Sequence, residues 1–440
     1  MNPLVNEFIQ KVLTKVKYKK VHPMLAKELY DHIECIKEEY LNEGMDEEKA
    51  YEQAIQQMGV PEEIGSDLYR MHKPRTDWMI ILLIGTVFAF GMYLLKVTGN
   101  EEAIIRMLVY SVVGLVGFFV CYFLNYQKLE KYSLVFVGLG VVILILTWCY
   151  GREVNGARRW FLLGPTSVQA ISITIPLFLV GFAGLIVGFE SKDFVRKVRL
   201  VLISLLCIVL TLDNYMVEGV ILMVTLYFTA VYYVNRYQKH KKEGKRNKLL
   251  LLLIGFGSIL TSAFFILTEG YRIQRLHIWM APDQYPQGYQ IMKIRKILSN
   301  ANWFGDSGLQ SVASEGDWQF FSFGIDDYTF LYIVGKLGVF AAVLTMCVLI
   351  AFIVRSFLLS HQQRDMYGNL LMTVISTFFA LQVTMGIITH LSLIPSATVY
   401  VPFLSYNGSS IIFELAALGL FLGIHRRKDI LPNELIACEK

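Results

Sequence analysis

At 440 residues the chain is long for one soluble domain; 55% of it is hydrophobic and only 18% charged, with a mean hydropathy of +0.47. Soluble globular chains carry about 45–50% apolar and about 25% charged residues, and here the apolar excess gathers into long runs, which identifies a polytopic membrane protein. The six scattered cysteines (Cys35, Cys121, Cys149, Cys207, Cys347, Cys438) form no CxxC pair and exclude a secreted disulfide scaffold. A net charge of +5, with the basic residues in short loops, disfavours a nucleic-acid binder.

The first 75 residues read as a small cytosolic helical domain. Pro3 sits where a helix start tolerates it, and Leu4, Phe8, Val12 and Val16 then recur at helical spacing. A second amphipathic stretch carries Leu25, Leu29, Ile33 and Ile36 and ends at Gly44. Asp46-Glu47-Glu48 opens a third helix with acid in its first turn, where the helix dipole favours it. Gly59-Val60-Pro61 stops that helix and starts a short fourth one. No apolar h-region or cleavage site marks a signal peptide. His32 beside Asp31 and Glu34 reads as a solvated helix face rather than a metal site. Glu28-Leu29-Tyr30-Asp31-His32-Ile33, Glu47-Glu48-Lys49-Ala50 and Met58-Gly59-Val60-Pro61 resemble the permease-prefix (HAAS-type) module that precedes membrane domains in Gram-positive bacteria.

Ten apolar runs follow, at 78–95, 104–125, 133–150, 172–188, 199–212, 216–234, 248–267, 329–354, 367–390 and 409–425. Each is near the ~20 residues that cross a bilayer core. The predicted fold is therefore all-α: a bundle of about ten transmembrane helices over 76–430, with an outer loop at 268–328 and a cytosolic tail at 431–440. The basic loops Tyr126–Tyr132, Glu190–Arg199 and Asn235–Lys248, and the Arg426-Arg427-Lys428 tail, fall on one side. The positive-inside rule then puts both termini in the cytoplasm. The loops 151–171, 268–328 and 391–408 face outward.

Arg152, Arg158 and Arg159 break that rule. An outward arginine pair beside Trp160 calls for an anionic partner, since guanidinium matches phosphate in bidentate fashion; an interfacial aromatic belt with snorkelling arginines is the plainer alternative. Asn155-Gly156-Ala157-Arg158-Arg159-Trp160 through Gln169 resembles the NGA-x-RW…Q motif of the SEDS family (shape, elongation, division and sporulation; FtsW, RodA and SpoVE). Tyr271-Arg272-Ile273-Gln274-Arg275, Ala281-Pro282-Asp283 and Gly288-Tyr289-Gln290 are similar to its YQ-x-x-R…DP…GYQ signature. Asp326-Asp327-Tyr328-Thr329-Phe330…Gly338 is similar to TDF-x-F…E-x-G. Ile394-Pro395 and Pro402-Phe403-Leu404-Ser405-Tyr406-Asn407-Gly408-Ser409-Ser410 resemble LP…PF-x-SYGGSS.

The resemblance implies a cell-envelope glycosyltransferase of the bacterial cell membrane, polymerising the lipid-linked disaccharide-peptide precursor of peptidoglycan beside a class B penicillin-binding protein. Membrane lipids surround it, and no nucleic acid is expected. It places the family's essential aspartate on Asp327, which as general base would take the acceptor hydroxyl's proton, with Asp326 as a like-charged neighbour. Arg158, Arg159, Arg272 and Arg275 are candidates for the departing pyrophosphate; Trp160, Gln169, Ser405, Tyr406 and Ser409 complete the substrate-binding candidates. A divalent cation (Mg or Mn) is the one cofactor expected; no nucleotide-binding P-loop, organic cofactor motif or zinc-hydrolase spacing is present.

Departures from the family pattern are specific. Its intramembrane acid and lysine become Ser172 and Ile175, a loss of both partners that avoids one unpaired charge. Its Pro-Asp-x-Gly-Thr becomes Leu212-Asp213-Asn214-Tyr215-Met216, and its acidic pair near the eighth run becomes Gly335-Lys336. Glu218 reads as a bundle-facing structural carboxylate. Two alternatives to an active polymerase therefore stay open: a catalytically weak relative that scaffolds or regulates envelope assembly, and a flippase for the lipid-linked precursor.

Overall fold

The computed structural model describes residues 2–17, 19, 22–73, 76–98, 101–154, 157–163, 166–187, 194–238, 270–307, 318–395, 399–406 and 408–428, with Gly255, Gly257, Leu260 and Phe264 as isolated positions. The chain divides into two compact units, Met1–Thr76 with His425–Lys440, and Asp77–Ile424.

Four helices build the first unit: α1 (Pro3–Lys15), α2 (His22–Asn42), α3 (Glu47–Met58) and α4 (Pro61–His72). Asn2 caps α1 by accepting the Leu4 N–H at 3.0 Å. The inward face of α1 is Val5, Phe8, Ile9, Val12 and Leu13, whereas Leu4 is exposed. Of the expected face, Phe8, Val12 and Val16 are buried and Leu4 alone is not, its place being taken by Val5. Leu25, Leu29, Ile33 and Ile36 all enter the same core. His32 and Asp31 are exposed, and Glu34 turns instead to Lys37 and to the Tyr51 hydroxyl, which donates at 2.7 Å. Burial alone would raise the Glu34 carboxyl, but the bonds from Lys37, Tyr51 and Tyr30 hold it below its ordinary value. Stability from a depressed carboxyl is present above its unfolded pKa, ~4.3, and is lost as pH falls through the lower folded value. Glu34→Gln is expected to cost about 1–2 kcal/mol at neutral pH, read as roughly tenfold faster amide exchange in α2 and α3 of the full chain. Exchange unchanged at pH 7 would remove the pair from the stability of this unit.

The second unit is a helix bundle. Seven described helices are long and apolar enough to cross a membrane: α5 (Trp78–Val97), α6 (Glu101–Phe123), α8 (Ser133–Tyr150), α9 (Ala170–Val187), α11 (Met216–Tyr237), α15 (Val339–Gln362) and α16 (Met366–His390). The short α7 (Gln127–Lys131) precedes α8, while α10 (Phe194–Asn214) and α17 (Gly408–His425) complete the described apolar helices. Between α11 and α15 stand α12 (Gly270–Met280), α13 (Tyr289–Ser299) and α14 (Trp318–Leu337). Helices α9 and α16 are the most enclosed spans, each 61% buried, so they form the centre. On α6, by contrast, Val112, Val116, Phe119, Val120 and Phe123 lie exposed, the arrangement expected of a lipid-facing helix. Helix α9 packs along α8 through small residues: a Cβ on Gly184 would stand 1.9 Å from the Ser133 hydroxyl. Close backbone approach of this kind drives helix pairing where lipid removes the hydrophobic gain. Asp77 caps α5 through the Ile80 N–H (3.0 Å) and accepts Arg355 Nε of α15 at 3.1 Å.

Two differences from the sequence reading matter, and one expected span is not described. The run 329–354 is not one span: it breaks at Gly338, which has φ +96°, between α14 and α15. The loop at 151–169 is not irregular but a three-stranded antiparallel sheet, β1 (Arg152–Val154), β2 (Ala157–Leu163) and β3 (Thr166–Gln169). The run 248–267 lies almost wholly outside the described residues.

Candidate functional site: a broken helix held by the loop before the last helix

Helix α14 carries Asp326 and Asp327 and breaks directly after them. Tyr328 has φ −133° and ψ 33°, outside helical values. In an unbroken helix the Phe330 N–H would go to the carbonyl of Asp326; here it donates to His390 Nδ1 at 3.3 Å. His390 Nε2 lies 2.9 Å from the Val399 carbonyl. A carbonyl only accepts, so the proton sits on Nε2 and Nδ1 is the acceptor, the neutral imidazole doing both jobs. His390 is fully buried, and its ring lies 5.9 Å from that of Tyr328.

One residue along, the Thr329 hydroxyl donates to Ser405 Oγ at 3.0 Å, which also accepts the Val401 N–H at 3.1 Å. The turn over 401–405 is strained, since Phe403 has φ +61°, a value bulky residues rarely hold. Glu414 of α17 fixes it by accepting the Phe403 N–H at 2.9 Å, and the Phe403 ring packs on Phe352 and Phe379 at 6.2 and 5.4 Å. On the other side, Ile294 and Ile297 of α13 pack against Tyr328 and Leu331. The last two motifs, Asp-Asp-Tyr-Thr-Phe and Ser-Tyr-Asn-Gly-Ser-Ser, are thus bonded to one another at the break.

The far end of α14 is clamped by residues 302–307. Val339 N–H reaches the Asn302 carbonyl (2.9 Å), Ser307 N–H the Gly335 carbonyl (3.0 Å) and Gly305 N–H the Leu337 carbonyl (3.1 Å). Lys336, where the family pattern has acid, donates to Asp306 Oδ2 at 2.6 Å; the inverted charge finds its partner in the loop. A Cβ at Gly338 would meet the Trp303 carbonyl oxygen at 2.7 Å. Gly338→Ala is expected to cost about 2–3 kcal/mol through positive φ and crowding, measured as a lower unfolding temperature in detergent. An unchanged temperature would mean that the joint adjusts freely.

The remaining candidates are spread out. Strand alternation splits the arginine pair: exposed Arg158 donates to the Trp148 carbonyl at 3.0 Å, while Arg159 lies over the Tyr215 ring, 5.6 Å from its centroid. Tyr215 also donates to the Arg159 carbonyl at 2.6 Å. Trp160 pairs with Arg152 on one side and Gln169 on the other, and Gln169 is buried. On α12, Arg272 is buried and Arg275 exposed; Trp279 of the same helix donates to the Ser392 carbonyl at 2.9 Å. Ser405 is buried and Tyr406 half-buried. The side chains of Asp326, Asp327, Asp213 and Ser409 lie outside the described residues, although Asp327 and Ser409 have helical backbone.

A cavity of about 40 Å³ opens inside the bundle, larger than the ~10–15 Å³ one water requires. Ser172 and Ile175 line it, and so do Glu218 and Glu414. Two acids therefore stand in the wall where the sequence suggested that charge had gone. His390 and Glu414 were missed, although each is an ionisable residue within an apolar run, the signal that singles out functional membrane residues.

Comparison with known proteins follows this geometry. The family profile of FtsW, RodA and SpoVE, described as cell cycle proteins, matches residues 72–430. The chain belongs to this family. Among curated SEDS relatives, a probable peptidoglycan glycosyltransferase FtsW from Trichlorobacter lovleyi is 22% identical over 81% of this chain and 94% of its own length. One of the same name from Aliivibrio salmonicida is 26% identical over 70% and 76%. Of the solved structures, a chain from a peptidoglycan synthase complex that coordinates polymerization and crosslinking superposes with a TM-score of 0.65 at 23% identity, covering 80% of this chain and 98% of that one. Thermus thermophilus RodA gives 0.58 at 21%, covering 80% and 97%. These structural likenesses establish the SEDS fold, that of an all-α, multi-pass membrane protein.

Proposed function

We propose that this SEDS protein is a peptidoglycan glycosyltransferase that extends glycan strands from the lipid-linked disaccharide-peptide precursor in cell-wall synthesis. The observation that carries the reading is the bonding of the Asp327 helix, at its break, to the loop of the last motif. The curated relatives of matching length bear that activity in their names. In this reading the acceptor hydroxyl attacks the anomeric carbon of the donor sugar. The bond from that carbon to the pyrophosphate oxygen breaks, and the hydroxyl proton passes to Asp327. The reading requires that a headgroup held at the outer membrane surface reach Asp327, last before the break.

Arg275, exposed on α12, and Arg158 are the better-placed cations for the leaving pyrophosphate. Arg159, over Tyr215, and buried Arg272 read as supports of the sheet and of α12; Trp160 and Gln169 hold the sheet register. Ser405 positions the break, and Tyr406 and Ser409 of the same motif remain substrate-binding candidates. The reading includes a divalent cation, which would offset the charge of the departing pyrophosphate. Among the described residues no three acidic, His or Cys side chains gather as a metal-ligand set.

Both termini are assigned to the cytoplasm by the basic loops, and a class B penicillin-binding protein is the proposed partner, supported by the synthase complex whose chain shares this fold. The neutral Ser172 and Ile175 favour a second reading, a relative of low activity that regulates assembly. Purified chain, alone and with candidate partners, would be incubated with lipid-linked precursor and Mg or Mn in detergent. Glycan chains on a gel support the polymerase. Transport of precursor that needs a sealed bilayer, with no chains formed, would make it a flippase; neither activity beside an active family control would favour the regulator.

A further inference from the structure

The four-helix unit separates its charge from one end to the other. Glu62 stands near enough to Lys11 to interact with it electrostatically, and a Cβ on Gly65 would lie 2.8 Å from the Cβ of Lys15. Helices α1 and α4 therefore run side by side in the same direction and finish at the same end. His22 Nε2 lies 2.7 Å from the Val16 carbonyl, which brings the start of α2 to that end as well. Exposed Lys15, Lys17, Lys19, Arg70 and Lys73 gather there. Lys11, one turn back, is answered by Glu7 at 2.9 Å, and Asp67 is the one acid between Gly65 and Lys73. Further along α2 the sign reverses: residues 28–63 hold twelve acids against two lysines. The helix dipole accounts for Lys15 and Lys73 at the ends of α1 and α4, but not for Lys17 and Lys19, which lie beyond α1.

The basic end is also where the chain leaves for the membrane. Trp78, the first residue of α5, follows Lys73 by five residues, a reach of at most about 18 Å. Trp78 is 75% exposed, as suits an aromatic anchor at the membrane interface. Lys73 is therefore held within about two Debye lengths of the bilayer at physiological salt. An anionic bilayer surface attracts basic residues at that range and repels the acidic stretch of α2 and α3. The tether also favours lipid over a soluble polyanion, because it keeps the surface at high effective concentration. We propose that the basic end of the four-helix unit docks on the anionic phospholipid headgroups of the membrane that α5 enters, with the acids of α2 and α3 turned away from them. The contact stands whether or not the chain polymerises glycan.

The test uses the full chain in nanodiscs of phosphatidylcholine alone or with about one-third phosphatidylglycerol, which supplies the negative surface potential. A short pulse of an acetylating reagent is applied, and the modification rate of each lysine is read by mass spectrometry. Lys15, Lys17, Lys19 and Lys73 are expected to react about fivefold more slowly in the anionic discs, the factor for one basic residue held at such a surface. Exposed Lys49 on α3 should keep its rate. Raising NaCl to about 1 M, where the Debye length shrinks to about 3 Å, should restore all four rates. Lys15→Gln, Lys17→Gln and Lys19→Gln combined should release Lys73 too; should that variant fail to fold, the salt series on the wild type decides. Equal rates in the two lipids would overturn the proposal, and so would the same slowing at Lys49, which is general shielding by charged discs. Protection already present in phosphatidylcholine, or surviving high salt, would point to a protein surface instead and overturn it. Lys73 still slowed in a folded triple variant would do the same.

Discussion

Asp327→Asn is expected to lower the rate of glycan chain formation by about 10²–10⁴-fold, the usual contribution of a positioned general base, or about 3–5 kcal/mol in the barrier. The change is nearly isosteric, so the fold and the break at Tyr328 should persist, and the unfolding temperature should match wild type. Asp326→Asn is the informative companion. It sits one residue earlier, about 100° around the helix, and should cost far less if Asp327 is the base. The measurement is the initial rate of chain growth from purified precursor, both variants beside wild type. A rate for Asp327→Asn within twofold of wild type would place the base elsewhere.

The second large effect is expected at a residue that need not touch substrate. His390→Ala removes the acceptor for the Phe330 N–H and the donor to the Val399 carbonyl, leaving two buried backbone groups unpaired. Each such loss costs about 1–3 kcal/mol. Without that tie the segment after the break can shift, and a misplacement near 1 Å can cost about 10²-fold in rate. His390 is a positioning residue in this account, so kcat should fall while KM for the precursor stays within about twofold. His390→Gln, whose amide can both accept and donate, should recover part of the rate, and His390→Leu should not. Equal activity in the Gln and Leu variants would mean the imidazole acts by volume alone.

Gly338 and Lys336 show why the motif region tolerates its departures. A lysine in place of acid at the end of α14 would be costly if unanswered, but Asp306 meets it at 2.6 Å in a loop that also binds the Gly335 and Leu337 carbonyls. The departures at Ser172 and Ile175 follow the same logic. The two positions became neutral together, Ser172 bonding Ser410, and the acidic side chains of this region are now Glu218 and Glu414 on the same cavity wall.

Much of this protein was legible in its sequence. Apolar runs near 20 residues long can be satisfied only as spans, so α5, α6, α8, α9, α11 and α16 follow from hydropathy alone. Helical period and turn residues likewise marked α1 to α4, and of the expected α1 face only Leu4 lies outside the core. The order of the outer-loop motifs identified the family before any coordinate. Tertiary structure alone decided three things. The run 329–354 is apolar apart from Lys336, and hydropathy averaged along it does not show that Gly338 at φ +96° divides it. The Arg158–Arg159 pair is adjacent in sequence, yet a strand sends neighbours to opposite faces. Glu218 and Glu414 are 196 positions apart, and His390 meets Phe330 across 60; such pairings arise from helix packing, which a linear pattern does not encode.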